Sequence, residues 1–440
     1  MRVGLVCPHA SPEVPALAPV PATRENVGRV AAELTARGHD VRVYEPGAEG
    51  EPPVAATGYR FERVPVEPPT TKPGRLVSHV SAVGRWLADR WTGGWTPEVV
   101  HGHFWMGGLA AATAVRSTTI PMVQTFQSLD AERRRHLGAA YAGPGERATL
   151  ERALGRAVDL AVAHSDDEVA ELTRLGLPRS AVTVVPPGVD TEIFQPDGWA
   201  QPRTMNLPRV VSVGLEPGHG QDDLIKALRL VGDVELVIVG GLAGGGSAGH
   251  AEARRLAEMA RQAGVGQQVR FVDAGAPAEL AAWYRSAAVV ACAPHCVPTD
   301  TVALEAMACG VPVVGYEVGG VAEAVVHEVT GRLVDAGDVR GLGRGLRRMV
   351  TEETERFAYA NAAVDRVRCR YTWDRAAAAL ERAYERAVEH RRADGPGLPP
   401  DDTDLPEDTD LSADTDPSTD TELSAGSAPV EDAAPSAGAS

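Results

Sequence analysis

Short runs of branched apolar residues alternate with longer amphipathic stretches along most of this chain. Arg2–Cys7, Val41–Tyr44, Glu98–His101, Met122–Thr125, Leu160–Ala163 and Val182–Val185 read as buried strands, with a weak strand at Tyr59–Val64 inside Pro/Gly/Glu loops. Glu25–Arg37, Leu76–Arg90, Met106–Val115 and Ala148–Val158 read as helices. In the first of these Val27, Val30, Ala31 and Leu34 share one face, and Gly38 ends it. Ser165 is placed to cap a helix whose first turn holds Asp166, Asp167 and Glu168. The segment PPGVDTEIFQPDG (Pro186–Gly198) then interrupts the alternation. A second series starts at Arg209–Val213 and continues with strands at Glu235–Val239, Val269–Val272, Val289–Cys292 and Val311–Val314, before a last helix at Trp373–Arg391. This alternation predicts an α/β chain of parallel sheets covered by helices on both faces. The expected organisation is a Rossmann-like domain over 1–190, a second over 199–370, and a terminal helix over 371–391. Two such domains facing a cleft bring both sets of strand C-termini to one ligand.

The densest chemistry lies in Ala288–Asp335, AVVACAPHCVPTDTVALEAMACGVPVVGYEVGGVAEAVVHEVTGRLVD. A strand is followed by a polar loop and by a helix, Thr301–Cys309, which Asp300 can cap and Gly310 stops. Gly319-Gly320 opens the next helix. Free amides and the helix dipole there point at one spot, which suits a phosphate-bearing ligand. An ordinary α/β repeat with short turns would leave the same pattern.

Composition narrows the field. The net charge of −17 is uneven, because residues 401–440 hold twelve Asp/Glu and no Lys or Arg. Residues 392–440, with repeated Asp-Thr-Asp and few large apolar side chains, are expected to be a disordered acidic tail. The remainder is only mildly acidic, and nothing suggests a nucleic-acid surface. No apolar run is long enough to span a bilayer, and MRVGLVCPHASP reads as a first strand, so a cytoplasmic location is expected. Five cysteines (Cys7, Cys292, Cys296, Cys309, Cys369) argue against a disulfide framework. Cys292, His295 and Cys296 lack a second ligand pair, so no metal site is expected.

LEAMACGVPVVGYEVGGVAEAVV…TGRLV resembles the donor-side signature of family 4 glycosyltransferases, and RGHDVRVY extends the likeness; it covers roughly residues 1–390. The resemblance implies a GT-B fold, with the last helix crossing back onto the first domain. It implies retaining transfer of a hexosyl group from a nucleotide-diphosphate sugar to an acceptor, without a cofactor. Glu305 matches the second Glu of the family's Glu-x7-Glu, and Gly214, Gly319 and Gly320 match its donor-side glycines. Asn26 matches on the acceptor side, where Arg133 and Arg134 correspond to basic residues that bind acceptor phosphate in relatives.

The cleft loops depart from that pattern. Val297 stands for the first Glu and Gln127 for the sugar-site His. Leu215 and His219 stand near the diphosphate-binding Arg and Lys, and the loop between them is about one residue short. Thr23-Arg24 replaces a Gly-Gly pair, and Thr299-Asp300 a Phe-Gly. Each charge-assisted hydrogen bond contributes roughly 1.5–3 kcal/mol. Losing two at a diphosphate therefore lowers affinity about 10²–10⁴-fold. The expectation is a family member with weak or absent transfer that still binds a sugar or nucleotide-sugar ligand, or partners an active transferase. Two alternatives are a rewired active enzyme using Glu305, the Gly319-Gly320 turn, Arg24, Gln127 and His219, and a scaffold acting through the acidic tail.

Overall fold

A computed structural model describes residues 1–7, 23–47, 58–66, 75–138, 141, 143–203, 207–215, 218–240, 246–295 and 301–393. Val297, Thr299, Asp300 and the acidic tail from 394 onward lie outside the described residues, as does the side chain of Arg24.

The first half runs β1 (Arg2–Val6), α1 (Thr23–Ala36), β2 (Asp40–Pro46), β3 (Arg60–Val64), α2 (Arg75–Thr92), β4 (Val99–His103) and α3 (Phe104–Val115). It continues with β5 (Met122–Thr125), α4 (Asp130–Leu137), α5 (Arg147–Ala157), β6 (Leu160–Ala163), α6 (Asp166–Leu175) and β7 (Val182–Val184). The second half runs β8 (Arg209–Val213), α7 (Gln221–Leu228), β9 (Glu235–Val239), α8 (Gly246–Gln262), β10 (Val269–Val272), α9 (Pro277–Ser286) and β11 (Val289–Cys292). Then follow α10 (Thr301–Ala308), β12 (Val313–Tyr316), α11 (Gly319–Ala324), β13 (Gly331–Val334), α12 (Val339–Thr351), α13 (Glu353–Arg370) and α14 (Trp373–Ala393).

These elements form two Rossmann-like domains in a GT-B arrangement. The first sheet has seven strands in the order β3-β2-β1-β4-β5-β6-β7, and the second six in the order β10-β9-β8-β11-β12-β13. Every ladder is parallel; Val3, for example, pairs with Val41 on one side and Val99 on the other. Central strands such as Leu160–Ala163, Glu235–Val239 and Val289–Cys292 are buried at every position. That is why they read as continuous apolar runs rather than alternating ones. Edge strand β3 is half-buried along most of its length, which accounts for its weak pattern.

The expected strand ends lie within two residues of the observed ones, and β12 is displaced as a whole. Val311–Val314 was the expected span, and the strand is Val313–Tyr316. Gly310 has φ +73°, the Val311 amide turns back to the Ala306 carbonyl and Pro312 has no amide to give, so strand pairing begins with the Pro312 carbonyl, which accepts from the Val290 amide, and Val313. The shift matters because it carries Tyr316 to the strand's C-terminal end.

α14 follows the second domain in sequence but packs on the first. Leu380, Ala383, Tyr384 and Ala387 share a core with Val3, Leu5 and Val43. The Tyr384 hydroxyl lies 2.8 Å from His101 Nδ1, and Arg37 bonds Glu381 and Asp374. The Val189 amide donates to the Tyr371 carbonyl at 2.7 Å, stitching the connection between domains to the start of this helix. No described helix is long and apolar enough to cross a membrane.

The second domain also hides a charge pair. Arg209 and Glu235 are both fully buried, with Arg209 Nε 2.8 Å from a Glu235 carboxylate oxygen. Arg209 further donates to Ser286 Oγ and to the carbonyls of Gln201 and Pro202. Breaking such a pair on one side costs about 3–5 kcal/mol, because the remaining charge stays buried. Arg209→Met is therefore expected to lower the melting temperature by several degrees; an unchanged melting curve would show that Arg270, which also reaches Glu235, carries the charge alone.

Candidate functional site

Both sheets reverse their strand order once, between β1 and β4 and between β8 and β11. Ligands of open parallel sheets bind beyond the strand C-termini at such reversals.

In the first domain this region is built on His101 and His103. They are two residues apart on one strand and so share a face; their rings are 4.1 Å apart. His101 is held between the Tyr384 hydroxyl and Thr125 Oγ1, each at 2.8 Å. His103 is 5% exposed, and neither of its nitrogens has a partner among the described residues. Burial drives both imidazoles down, His103 to about 3, so both are neutral. The backbone beside them is strained: Phe104 has φ +60° and Gln127 φ +63°. Non-glycine residues in this region cost about 1–3 kcal/mol and cluster where a site holds them in place. Gln127 Oε1 and Trp105 Nε1 are buried without a partner among the described residues.

The arginines nearby divide sharply. Arg134 is engaged by Asp130 Oδ2 at 2.6 Å and by the carbonyls of Gly143 and Pro144. Arg135 pairs with Glu171. Arg147, buried, pairs with Glu151 and bonds Ser128. Arg133 has no ion pair among the described residues; its guanidinium lies 5.3 Å from the Tyr141 ring centroid and its Nε is buried without a partner. Of the two acceptor-side arginines expected from sequence, Arg133 is therefore the uncommitted one. Asn26 sits half-buried in the first turn of α1.

In the second domain the loop after β8 bends at Gly214, Gly218 and Gly220, with φ of +95°, +96° and +78°. A Cβ on Gly214 would lie 2.0 Å from His219 Nδ1, and one on Gly220 would lie 1.9 Å from the Ala293 carbonyl oxygen. The glycines thus let the loop fold flat against β11. Leu215 points into the core, 4% exposed. His219 Nδ1 is buried without a partner among the described residues. The His295 amide donates to the Gly218 carbonyl at 2.9 Å, tying the loop after β11 to the loop after β8. His295 Nε2 lies 3.4 Å from Asp223 Oδ2. Asp223 also accepts from the Tyr316 hydroxyl and from Lys226 Nζ, both at 2.9 Å. Glu305, on α10, accepts from the Tyr284 hydroxyl at 2.9 Å.

The two domains meet through reciprocal helix caps. The Gly319 amide donates to Asp167 Oδ2 at 2.7 Å, and the Asp166 amide donates to Glu323 Oε1 at 3.1 Å. The first turn of α6 caps α11, and α11 caps α6. The anion seat expected at Gly319 is thus filled by a carboxylate of the chain itself, with Gly320 next in the same turn. A cavity of about 610 Å³ lies apart from this crevice, beside β13 and α12. Its arginines, Arg332, Arg344 and Arg348, are paired with Glu328, Asp338 and Glu355. Among the described residues no group of three His, Cys, Asp or Glu is placed to hold a metal.

A D-inositol 3-phosphate glycosyltransferase of Xylanimonas cellulosilytica is 32% identical over 416 residues, covering 89% of this chain and 98% of that protein. Residues 26–193 match Glycosyltransferase Family 4, and residues 200–366 match Glycosyl transferases group 1. This chain belongs to that glycosyltransferase family. A second D-inositol 3-phosphate glycosyltransferase, from Acidothermus cellulolyticus, is also 32% identical, over 89% of this chain and 91% of its own length. Among solved structures, sucrose-phosphate synthase from Thermosynechococcus elongatus superposes with a TM-score of 0.75 at 22% identity, over 88% of this chain and 99% of that one. Anabaena HepE in complex with UDP superposes with a TM-score of 0.65 at 17% identity, over 88% of this chain and 100% of that one. These two likenesses speak for the fold.

Sequence reasoning missed Asp167, His103 and His295. The spacing of VVHGHFW carries a usable signal, since period two puts His101 and His103 on one face. Nothing local marks Asp167 as a cross-domain cap. Replacing Asp167 and Glu323 together with Ala is expected to loosen the two domains and raise the radius of gyration in small-angle scattering; unchanged scattering would show that the caps do not hold them.

Glu168 supplies a pH test. It is buried, accepts from the His164 amide at 2.7 Å, and donates its own amide to Ser165 Oγ. Burial pushes its carboxyl up to about 7, with the His164 and Gln127 amides pulling the other way. A carboxyl raised above its unfolded value of 4.5 contributes stability that is full below that value and is lost as pH rises through about 7. Glu168→Gln, neutral throughout, should gain on the parent by about 1–3 kcal/mol between pH 5 and 8. A constant difference in denaturation midpoint across that range would contradict the assignment.

Proposed function

We propose that this chain binds a nucleotide-diphosphate sugar beyond β8 and β11 and a phosphorylated polyol beyond β4 and β5, and that it transfers the hexosyl group slowly at neutral pH. The acceptor class follows from the relatives, which are D-inositol 3-phosphate glycosyltransferases. Arg133 supports it, as a cation next to the strained Gln127 turn with no ion pair among the described residues. Strain and unpartnered buried atoms at His103, Phe104 and Gln127 would be costly to keep in a domain that bound nothing.

The observation that carries the reading is on the donor side. Of the two positions where the family's cations stand, one holds Leu215, buried in the core, and the other holds His219. Retaining transfer releases a diphosphate, and charge must meet it as the sugar–oxygen bond breaks. Lys226 stands further along α7, paired with Asp223, and matches neither position. Two missing charge-assisted contacts account for a loss of about 10²–10⁴ in grip on the leaving group.

The test is transfer from UDP-glucose and GDP-glucose to inositol 3-phosphate, run beside a relative that has the Arg and Lys. Turnover at neutral pH at least about 100-fold below the relative is expected, with Arg133→Ala raising the acceptor KM. Turnover equal to the relative would overturn the proposal.

A further inference from the structure

The loops that follow β8 and β11 offer an anion no arginine or lysine of their own. Neither residue occurs in 214–220 or in 293–300. The cationic options in the described parts of both loops are two imidazoles, His219 and His295. Their loops are tied together by the bond from the His295 amide to the Gly218 carbonyl at 2.9 Å.

We propose that His295, with His219 beside it, is the diphosphate-contacting residue of the donor site, and that it grips the ligand as an imidazolium. This rests on the nucleotide-sugar reading above and names the side chains that serve it. Three features single out His295. Its side chain is 39% exposed, so a ligand can reach it. Its backbone is pinned to the glycine loop, which fixes the root of the ring at the crevice. Its Nε2 faces Asp223 Oδ2 at 3.4 Å, which leaves Nδ1 as the ring nitrogen available to a ligand.

The surrounding groups define how that charge is used. Asp223 approaches from α7 and is steadied by Lys226 of the same helix and by the Tyr316 hydroxyl from β12. The Tyr316 ring lies 5.7 Å from the His295 ring. With Nε2 turned to Asp223, Nδ1 of a charged His295 is a donor with no partner among the described residues. On the other loop, His219 carries the buried, unpartnered Nδ1. Two imidazolium groups would offset the two charges of a diphosphate ester. Imidazole changes charge between about pH 5 and 8, so this grip strengthens as pH falls, where an Arg/Lys pair would hold constant.

The experiment is titration calorimetry on the full chain with UDP-glucose and GDP-glucose, whose diphosphates do not titrate in this range, at about pH 6 and pH 8. The parent is expected to bind at least about tenfold tighter at the lower pH. His295→Gln should cut that ratio below about threefold. His295→Lys should bind alike at both, near the acid-limit affinity of the parent, which a purely structural role for the ring would not produce. A ratio preserved in His295→Gln would overturn the assignment, whatever His219→Gln does, while leaving nucleotide-sugar binding intact. Absence of binding by the parent at either pH would remove the nucleotide-sugar reading and this one together.

Discussion

A parallel strand leaves its sheet at the same end as its neighbours, and in this chain that constraint decides where chemistry can occur. Each sheet grows outward in one direction, then returns to its first strand and grows in the other. At the return the two flanking loops diverge, and a crevice opens that packing does not fill. The residues that matter here follow β1, β4, β5 and β6 in one domain and β8, β11 and β12 in the other. Tyr384 of α14 reaches His101 near the end of β4, so this helix also buttresses the crevice of the first domain. The fold's stability and the site's geometry share that contact.

Within the crevices, burial and charge pull in opposite directions. In the first domain desolvation keeps His101, His103 and His164 neutral. That region can position hydroxyls but holds little positive charge apart from Arg133. Its neighbours Arg134, Arg135 and Arg147 are each committed to a carboxylate. In the second domain the shortage is more severe, because the loop geometry turns Leu215 inward and leaves imidazoles at the mouth.

Much of this was legible in the sequence, and the failures have causes. Buried parallel strands announce themselves as apolar runs, and the glycine stops at Gly38 and Gly310 are local signals, so the α/β alternation could be read directly. Val313–Tyr316 starts two residues into the apolar run because the Val311 amide is spent on the Ala306 carbonyl and Pro312 has none to give. Motif spacing could single out Gly214, His219, Glu305 and Gly319 as candidates, and the structure shows the Gly319 amide bonded to Asp167. Asp167 and His295 could not be singled out in this way, because their roles come from contacts between segments far apart in the chain. His295 meets Asp223 across 72 positions and Gly319 meets Asp167 across 152. Hydrophobic periodicity carries no information at such separations.

The reciprocal caps bear on how the site works. A carboxylate and a phosphate oxygen make the same demand of a helix N-terminus: a charge-assisted bond from a free amide. While Asp167 holds the Gly319 amide, an anion that needed that amide would have to displace a side chain of the opposite domain. Displacement would also strain the partner bond from the Asp166 amide to Glu323, since both caps span the same two helices. Ligand entry at Gly319 and separation of the domains would then be one event rather than two. An anion held instead at the β8/β11 crevice leaves the caps in place, and the domains stay joined while the ligand is bound. Of these two seats the crevice asks for less rearrangement, because the bonds from the Gly319 and Asp166 amides stay in place.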